Sequence, residues 1–215
     1  MEKQYEKLLD SLFQFEGGKL HYNSKEKDIT NAYGIYRFQQ PKAEIWNYID
    51  SLAEGITTKP SNQWDKTIVD KINEKIDKNK ERELSYKFYK QFFAGAYLEL
   101  FHDDLVIMMC NLYTNTPLGA TKAIQEALND CYKYGIFKVE EKDVPPVLGK
   151  FGPQTRSAIE KFSKEADWKD IIIFKNCALL YMKTYYGELV IDKTTTMLPN
   201  LRGWNNRMEA LQHQK

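Results

Sequence analysis

The chain has 215 residues, 42% of them apolar and 28% charged, with a formal net charge of +1. That is enough apolar material for a buried core, and too little positive charge to favour duplex nucleic acid as a partner. The 3 cysteines, Cys110, Cys131 and Cys177, are odd in number and widely spaced, which argues against a disulfide framework or a zinc site and reads as buried free thiols. In chain order, the first expected element is an amphipathic helix. Tyr5, Leu8, Leu9, Leu12 and Phe13 fall on one helical face, and Gly17-Gly18 stops it, so Glu16 sits in the last turn before a break. Residues 19–38 lose the helical period, and Ile29 to Phe38, rich in Tyr, Ile and Thr, predicts a short hairpin or irregular β segment.

From Pro41 the pattern is helical. Ile45, Ile49 and Leu52 form a stripe that ends at Gly55. Ser61 caps a second helix carrying Trp64, Ile68, Ile72 and Ile76, and a third is expected over about 82–101 with Leu84, Phe88, Phe92 and Tyr97 among its apolar positions. The charges of 71–83, from Lys71 to Arg82, read as a solvated helix face. His102-Asp103-Asp104 reads as a helix start with aspartate as the cap, introducing the apolar run 105–110 as a buried central helix. Thr116-Pro117 starts another helix through Ala120, Ile124, Ala127 and Leu128. A loop over 135–152 and helices near 153–165, 168–186 and 197–212 complete an all-α chain with a small β excursion near its N-terminus. It is read as one domain over 1–215, divided into 1–134 and 135–215.

Few residues could carry chemistry. Glu16, followed by Gly-Gly and an irregular loop with Asp28, Thr30, Tyr33 and Tyr36, has the makings of a glycosidase pair. Such a site needs a protonated carboxylic acid beside a group that activates or stabilises the attacker. The plainer reading is a solvated helix-end glutamate. His21 lies between Glu16 and Asp28 and fits either a cleft lining or an ordinary surface. The amides of Asn111 and Gln125 suit N-acetyl and hydroxyl groups of a glycan, and suit structural capping as well. Cys110 lies in an apolar run without a cationic neighbour and is expected to be inert. Trp204 is expected to pack on the core, with Arg202 and Arg207 outside. No metal or cofactor site is expected.

Four stretches together resemble one family. Phe15-Glu16-Gly17-Gly18 with Asp28, Thr30 and Tyr33-Gly34-Ile35 resembles the N-terminal signature of the glycoside hydrolase family 108 muramidases, which are similar to phage-type lysozymes. Asn111 to Leu128, with Ala120, Ile124 and Gln125, is similar to the family's central segment. Gly149-Lys150-Phe151-Gly152-Pro153-Gln154-Thr155, followed by Ala158-Ile159, resembles its Gly-x-x-Gly-Pro-x-Thr turn, and Leu201-Arg202-Gly203-Trp204-Asn205-Asn206-Arg207 its closing Gly-Trp-x-x-Arg motif. The likeness runs from about residue 8 to residue 211. Where the family carries Gly-Gly-x-Thr this chain has Lys27-Asp28-Ile29-Thr30-Asn31-Ala32, and Leu148 replaces its usual Asp.

The resemblance implies a lysozyme-like fold with 135–215 as a peptidoglycan-binding part packed on the catalytic part. It implies cleavage of the β-1,4 bond after N-acetylmuramic acid, with Glu16 as general acid and Asp28 or Thr30 as the second group. Tyr33, His21, Asn111 and Gln125 would bind substrate. The expected partner is the peptidoglycan glycan strand, met by a monomer without nucleic acid or membrane. No apolar run of about 18 residues occurs, and Met1-Glu2-Lys3-Gln4-Tyr5-Glu6-Lys7 lacks the apolar centre of a signal peptide. The expectation is therefore synthesis in the cytoplasm and holin-dependent or other export to the wall. A lytic transglycosylase using the same Glu, and a non-catalytic peptidoglycan-binding protein, are the alternatives.

Overall fold

A computed structural model describes residues 2–23, 28–192 and 198–213. The protein is mostly helical, with 69% helix and 4% strand. Its contacts divide it into two compact units, Met1–Ala94 and Gly95–Lys215. The division expected at 134/135 is not where the contacts part, because the helices of 103–133 pack on later helices of the same chain.

The first unit opens with α1 (Glu2–Phe15), which buries Leu8, Leu9 and Leu12 completely. Each such leucine contributes about 2 kcal/mol of transfer free energy. Gly17 and Gly18 then adopt φ of +80° and +67°, a left-handed pair that ends the helix. A side chain at Gly18 would also strike the Phe13 ring, at 2.7 Å. The chain turns into an antiparallel hairpin of β1 (His21–Asn23) and β2 (Asp28–Thr30), in the register His21 with Thr30, Tyr22 with Ile29 and Asn23 with Asp28. Tyr36 bridges back to Thr30, and the Arg37 N–H reaches the Ile29 carbonyl at 2.9 Å. The expected β excursion is therefore a very small ladder with one return strand of bridging length.

Three helices complete this unit: α2 (Glu44–Ala53), α3 (Lys66–Asn73) and α4 (Lys78–Phe92). α4 packs on α1 and α2, while α3 meets α2 and β1. Asn73 ties α3 to the chain before β1 through a reciprocal pair with the Leu20 backbone, at 2.9 and 2.8 Å. The cap of α3 is Asp65, which accepts the Ile68 N–H at 3.0 Å; Ser61, expected in that role, begins a short 3-10 turn instead. α4 ends at Phe92, short of the expected 101. A non-glycine residue, Tyr97, stands at φ +50° just beyond, where no helix can continue.

The second unit contains α5 (Asp103–Asn115), α6 (Pro117–Lys133), α7 (Pro153–Glu165), α8 (Trp168–Asp192) and α9 (Leu198–His213). Position 197, the expected start of the last helix, lies outside the described residues. α5 is buried as expected through Leu105, Val106, Met108, Met109, Cys110 and Leu112. Its cap is the His102 ring, whose Nδ1 accepts the Asp104 N–H at 3.3 Å, in place of the expected aspartate. α6 lies along α8. Gly119, Ala120, Ala123 and Ala127 are buried on α6, and a Cβ at Gly119 would fall 2.5 Å from the Tyr185 ring. Small residues thus let these two helices approach closely. The Trp204 ring stacks on the buried Tyr186 at 4.5 Å, the core packing expected for it. The side chain of Arg202 lies outside the described residues. Cys110 and Cys131 are buried free thiols, and Cys177 is a half-buried one. No helix among the described residues is long and apolar enough to cross a membrane.

Candidate functional site

Glu16 follows the last residue of α1, and its N–H still closes the helix on the Leu12 carbonyl at 2.9 Å. Helix geometry therefore fixes the backbone of this residue, while the left-handed glycines after it turn the chain away. The side chain is half-buried. Its carboxyl lies against Gly34: a Cβ at that glycine would be 2.9 Å from Glu16 Cγ, 3.0 Å from Cδ and 3.1 Å from Oε1. Gly34 also has φ +83°, so both its backbone and its contact require glycine. The ring of Tyr33 packs against Phe13 at 5.3 Å, on the last turns of α1.

The turn that carries Gly34 is held from the side of α4. The Asn31 side chain organises it locally, its Oδ1 accepting the Tyr33 and Ile35 N–H groups at 3.1 and 2.9 Å. Asn31 Nδ2 donates to Ser85 Oγ at 2.9 Å. The Ala32 N–H donates to Glu81 Oε1 at 3.1 Å, and the Tyr89 hydroxyl donates to the Tyr33 carbonyl at 2.6 Å. Glu81 is 0% exposed, with Lys78 Nζ 3.4 Å from its other oxygen. Arg82 pairs with Glu6 and Asp10 of α1 and acts electrostatically on the Tyr33 phenol. Burial pushes the Tyr33 phenol pKa up, against the lowering pull of Arg82.

This corrects the reading of 71–83 as a solvated face at Glu81 and Arg82 alone, while Lys71, Lys75, Lys78, Lys80 and Glu83 are exposed as expected. Glu81 is buried and Arg82 joins α4 to α1. It also shifts the buried line of α4. Phe88 and Phe92 are only half-buried, and the interior line is Glu81, Ser85, Tyr89 and then Phe93, flanked by Leu84.

The other expected site residues fall in different places. Asp28 is 7% exposed, and its Oδ1 accepts the Ile29 N–H at 2.7 Å and the Phe38 N–H at 3.0 Å. One of its two oxygens is thus committed to pinning the hairpin to the return strand. Thr30, 6% exposed, faces the exposed His21 across the ladder. Glu16, His21, Asp28, Thr30 and Tyr33 all belong to the first unit, whereas Asn111 and Gln125 belong to the second. Both amides are interior. Asn111 Nδ2 bonds the Ile107 carbonyl, one turn back on α5, at 2.9 Å. Gln125 is committed four times over: its Nε2 donates to the Lys150 carbonyl and Thr155 Oγ1, and its Oε1 accepts from the Leu148 and Gly149 N–H groups, all within 2.9–3.0 Å. In this structure Gln125 serves the Gly149–Thr155 turn, and a sugar would have to displace those bonds to reach it.

Sequence reasoning passed over Glu81, Ser85 and Tyr89. Their regular spacing of four was the available signal, masked by the apolar residues beside them. No family model, curated protein or solved structure matches this chain.

Proposed function

We propose that this protein is a lysozyme-like peptidoglycan hydrolase, an N-acetylmuramidase cleaving the β-1,4 bond between N-acetylmuramic acid and N-acetylglucosamine. The observation that carries the reading is the placement of Glu16: a carboxyl carried at a helix end, half-buried, with its inner side against a glycine that leaves it room. Protonated, Glu16 donates to the glycosidic oxygen as the bond to the anomeric carbon breaks. Thr30 and the second oxygen of Asp28, the groups that the resemblance offers, would orient water or stabilise the positive sugar ring. The glycan strand is the partner, and the reaction calls for no cofactor.

One observation favours a second reading. Asp28 is nearly buried and half of its carboxylate is committed to the hairpin. A lytic transglycosylase needs one glutamate and no water-activating carboxylate, since the sugar's own 6-hydroxyl attacks. Purified sacculi distinguish the two, because muropeptides released by hydrolysis are heavier by one water than 1,6-anhydro products. Glu16→Gln is expected to stay folded and lose at least about a hundredfold in lysis rate. A Glu16→Gln protein that clears sacculi at the wild-type rate rules out both enzymatic readings. Sacculus binding without release of reducing ends, by the wild type, leaves a binding protein.

A further inference from the structure

We propose that Glu81, Ser85 and Tyr89 of α4 are positioning residues, which set the place of the Glu16 carboxyl through the backbone of the 31–35 turn. The inference rests on the reading of Glu16 as the reacting acid. Three features of the structure carry it.

The first is the spacing. Positions 81, 85 and 89 project from one face of α4 on successive turns, so they act as a rigid row. All three are buried, at 0%, 0% and 1% exposure. The second is the division of labour. Each residue holds a different part of the same short turn: Glu81 the Ala32 N–H, Ser85 the Asn31 amide, and Tyr89 the Tyr33 carbonyl. Asn31 relays its contact onward to the N–H groups of Tyr33 and Ile35. The turn is therefore held on both sides of Gly34 and has little freedom to slide. The third is what the turn touches. Gly34 is its residue in contact with Glu16, at a separation that a side chain could share only by displacing Glu16.

The energetics point the same way. A buried carboxylate whose one ion-pair partner, Lys78, is half-exposed at 3.4 Å is an expensive way to hold two segments together, and apolar residues in a helical core would stabilise it at least as well. What a satisfied polar row gives is a defined position. Displacing a reacting group by about 1 Å costs on the order of a hundredfold in rate, so a row that fixes the turn bears directly on catalysis.

The test is carbon-13 NMR of glutamate side-chain carboxyls, with the Glu16 Cδ resonance assigned from its loss in Glu16→Gln. The variants are Ser85→Ala, Tyr89→Phe and Glu81→Gln, with Tyr86→Phe as the control. Tyr86 lies on the same helix and packs edge-on against Tyr5 rather than holding the turn. The Glu16 Cδ resonance is expected to move in each of the three variants and to stay in place in Tyr86→Phe. On sacculi, kcat should fall about tenfold to a hundredfold in the same three variants, with KM unchanged. Should Glu81→Gln fail to fold, Tyr89→Phe and Ser85→Ala carry the test, because they remove only a hydroxyl. A Glu16 resonance unmoved in folded Tyr89→Phe and Ser85→Ala overturns the inference, whatever the activity. A wild-type protein that releases no reducing ends overturns the enzymatic reading instead, so the two failures are read on different instruments.

Discussion

Replacing Gly34 by alanine tests the placement of Glu16 through stability alone. Two costs are expected. At φ +83° an L-residue pays about 1–2 kcal/mol for left-handed backbone. The new methyl also falls 2.9–3.1 Å from Glu16 Cγ, Cδ and Oε1, against an ordinary carbon contact of about 3.5–4.0 Å. Glu16 is a half-buried, flexible side chain, so it should yield by leaving its preferred rotamer, at about 0.5–1.5 kcal/mol. The total comes to about 1.5–3.5 kcal/mol, of which only the second part depends on Glu16. In a Glu16→Ala background that second part disappears. Four proteins in urea, read by circular dichroism, should therefore give a coupling of about 0.5–1.5 kcal/mol between the two substitutions. Gly135→Ala is the strain-only control, since Gly135 has φ +74° and open space where a Cβ would stand. Equal costs for Gly34→Ala in the two backgrounds would mean that Glu16 does not lie against Gly34, and the site argument would fall with it.

Two further outcomes concern the second unit. Gln125→Ala leaves the Leu148 and Gly149 N–H groups and the Lys150 carbonyl without their buried partner, which should cost about 3–5 kcal/mol. Hydrogen exchange at the Leu148 and Gly149 amides should accelerate in that variant, and unchanged exchange there would refute the structural role. Burial also pushes up the thiol pKa of all three cysteines, that of Cys131 to about 12. Folded protein at pH 8 should therefore react slowly with Ellman's reagent, and rapid labelling of all three would contradict the burial. The sign for stability follows from the same shifts. The unfolded thiol titrates near 9.0 and the folded one higher, so only the unfolded chain releases these protons above pH 9. The contribution is full below about pH 9 and is lost as pH rises toward about 12; Cys131→Ala should flatten part of that decline in the urea midpoint.

What the sequence made legible was local. The helical period of Leu8, Leu9 and Leu12, the glycine pair after Glu16, and the Thr116-Pro117 start of α6 each act within a few residues, and each holds in the structure. Ambiguity began where two residues of similar chemistry competed. Ser61 and Asp65 are both good helix caps, and the choice fell to Asp65 because Pro60-Ser61 turns in 3-10 geometry, with the Trp64 indole bonded to the Lys59 carbonyl. It deepened where a polar residue had a distant partner. An amide such as Gln125 binds a loop carbonyl by the same chemistry as an N-acetyl group, and the loop lies 23–30 residues away.

The candidate site is the extreme case. Glu81, Ser85 and Tyr89 meet the turn across 49–56 residues of sequence, and by composition they belong to a charged surface stretch. Hydrophobic periodicity sees only apolar positions, so it placed the interior of α4 on Leu84, Phe88 and Phe92, of which Leu84 is buried and the two phenylalanines are only half-buried. Local rules fail here because the fold has put hydrogen-bonding groups where packing alone would put leucine. The 31–35 turn closes on its own backbone and on the Asn31 side chain, and α4 adds three side-chain hydrogen bonds that place it. The one residue it presents without a side chain is the one that touches Glu16.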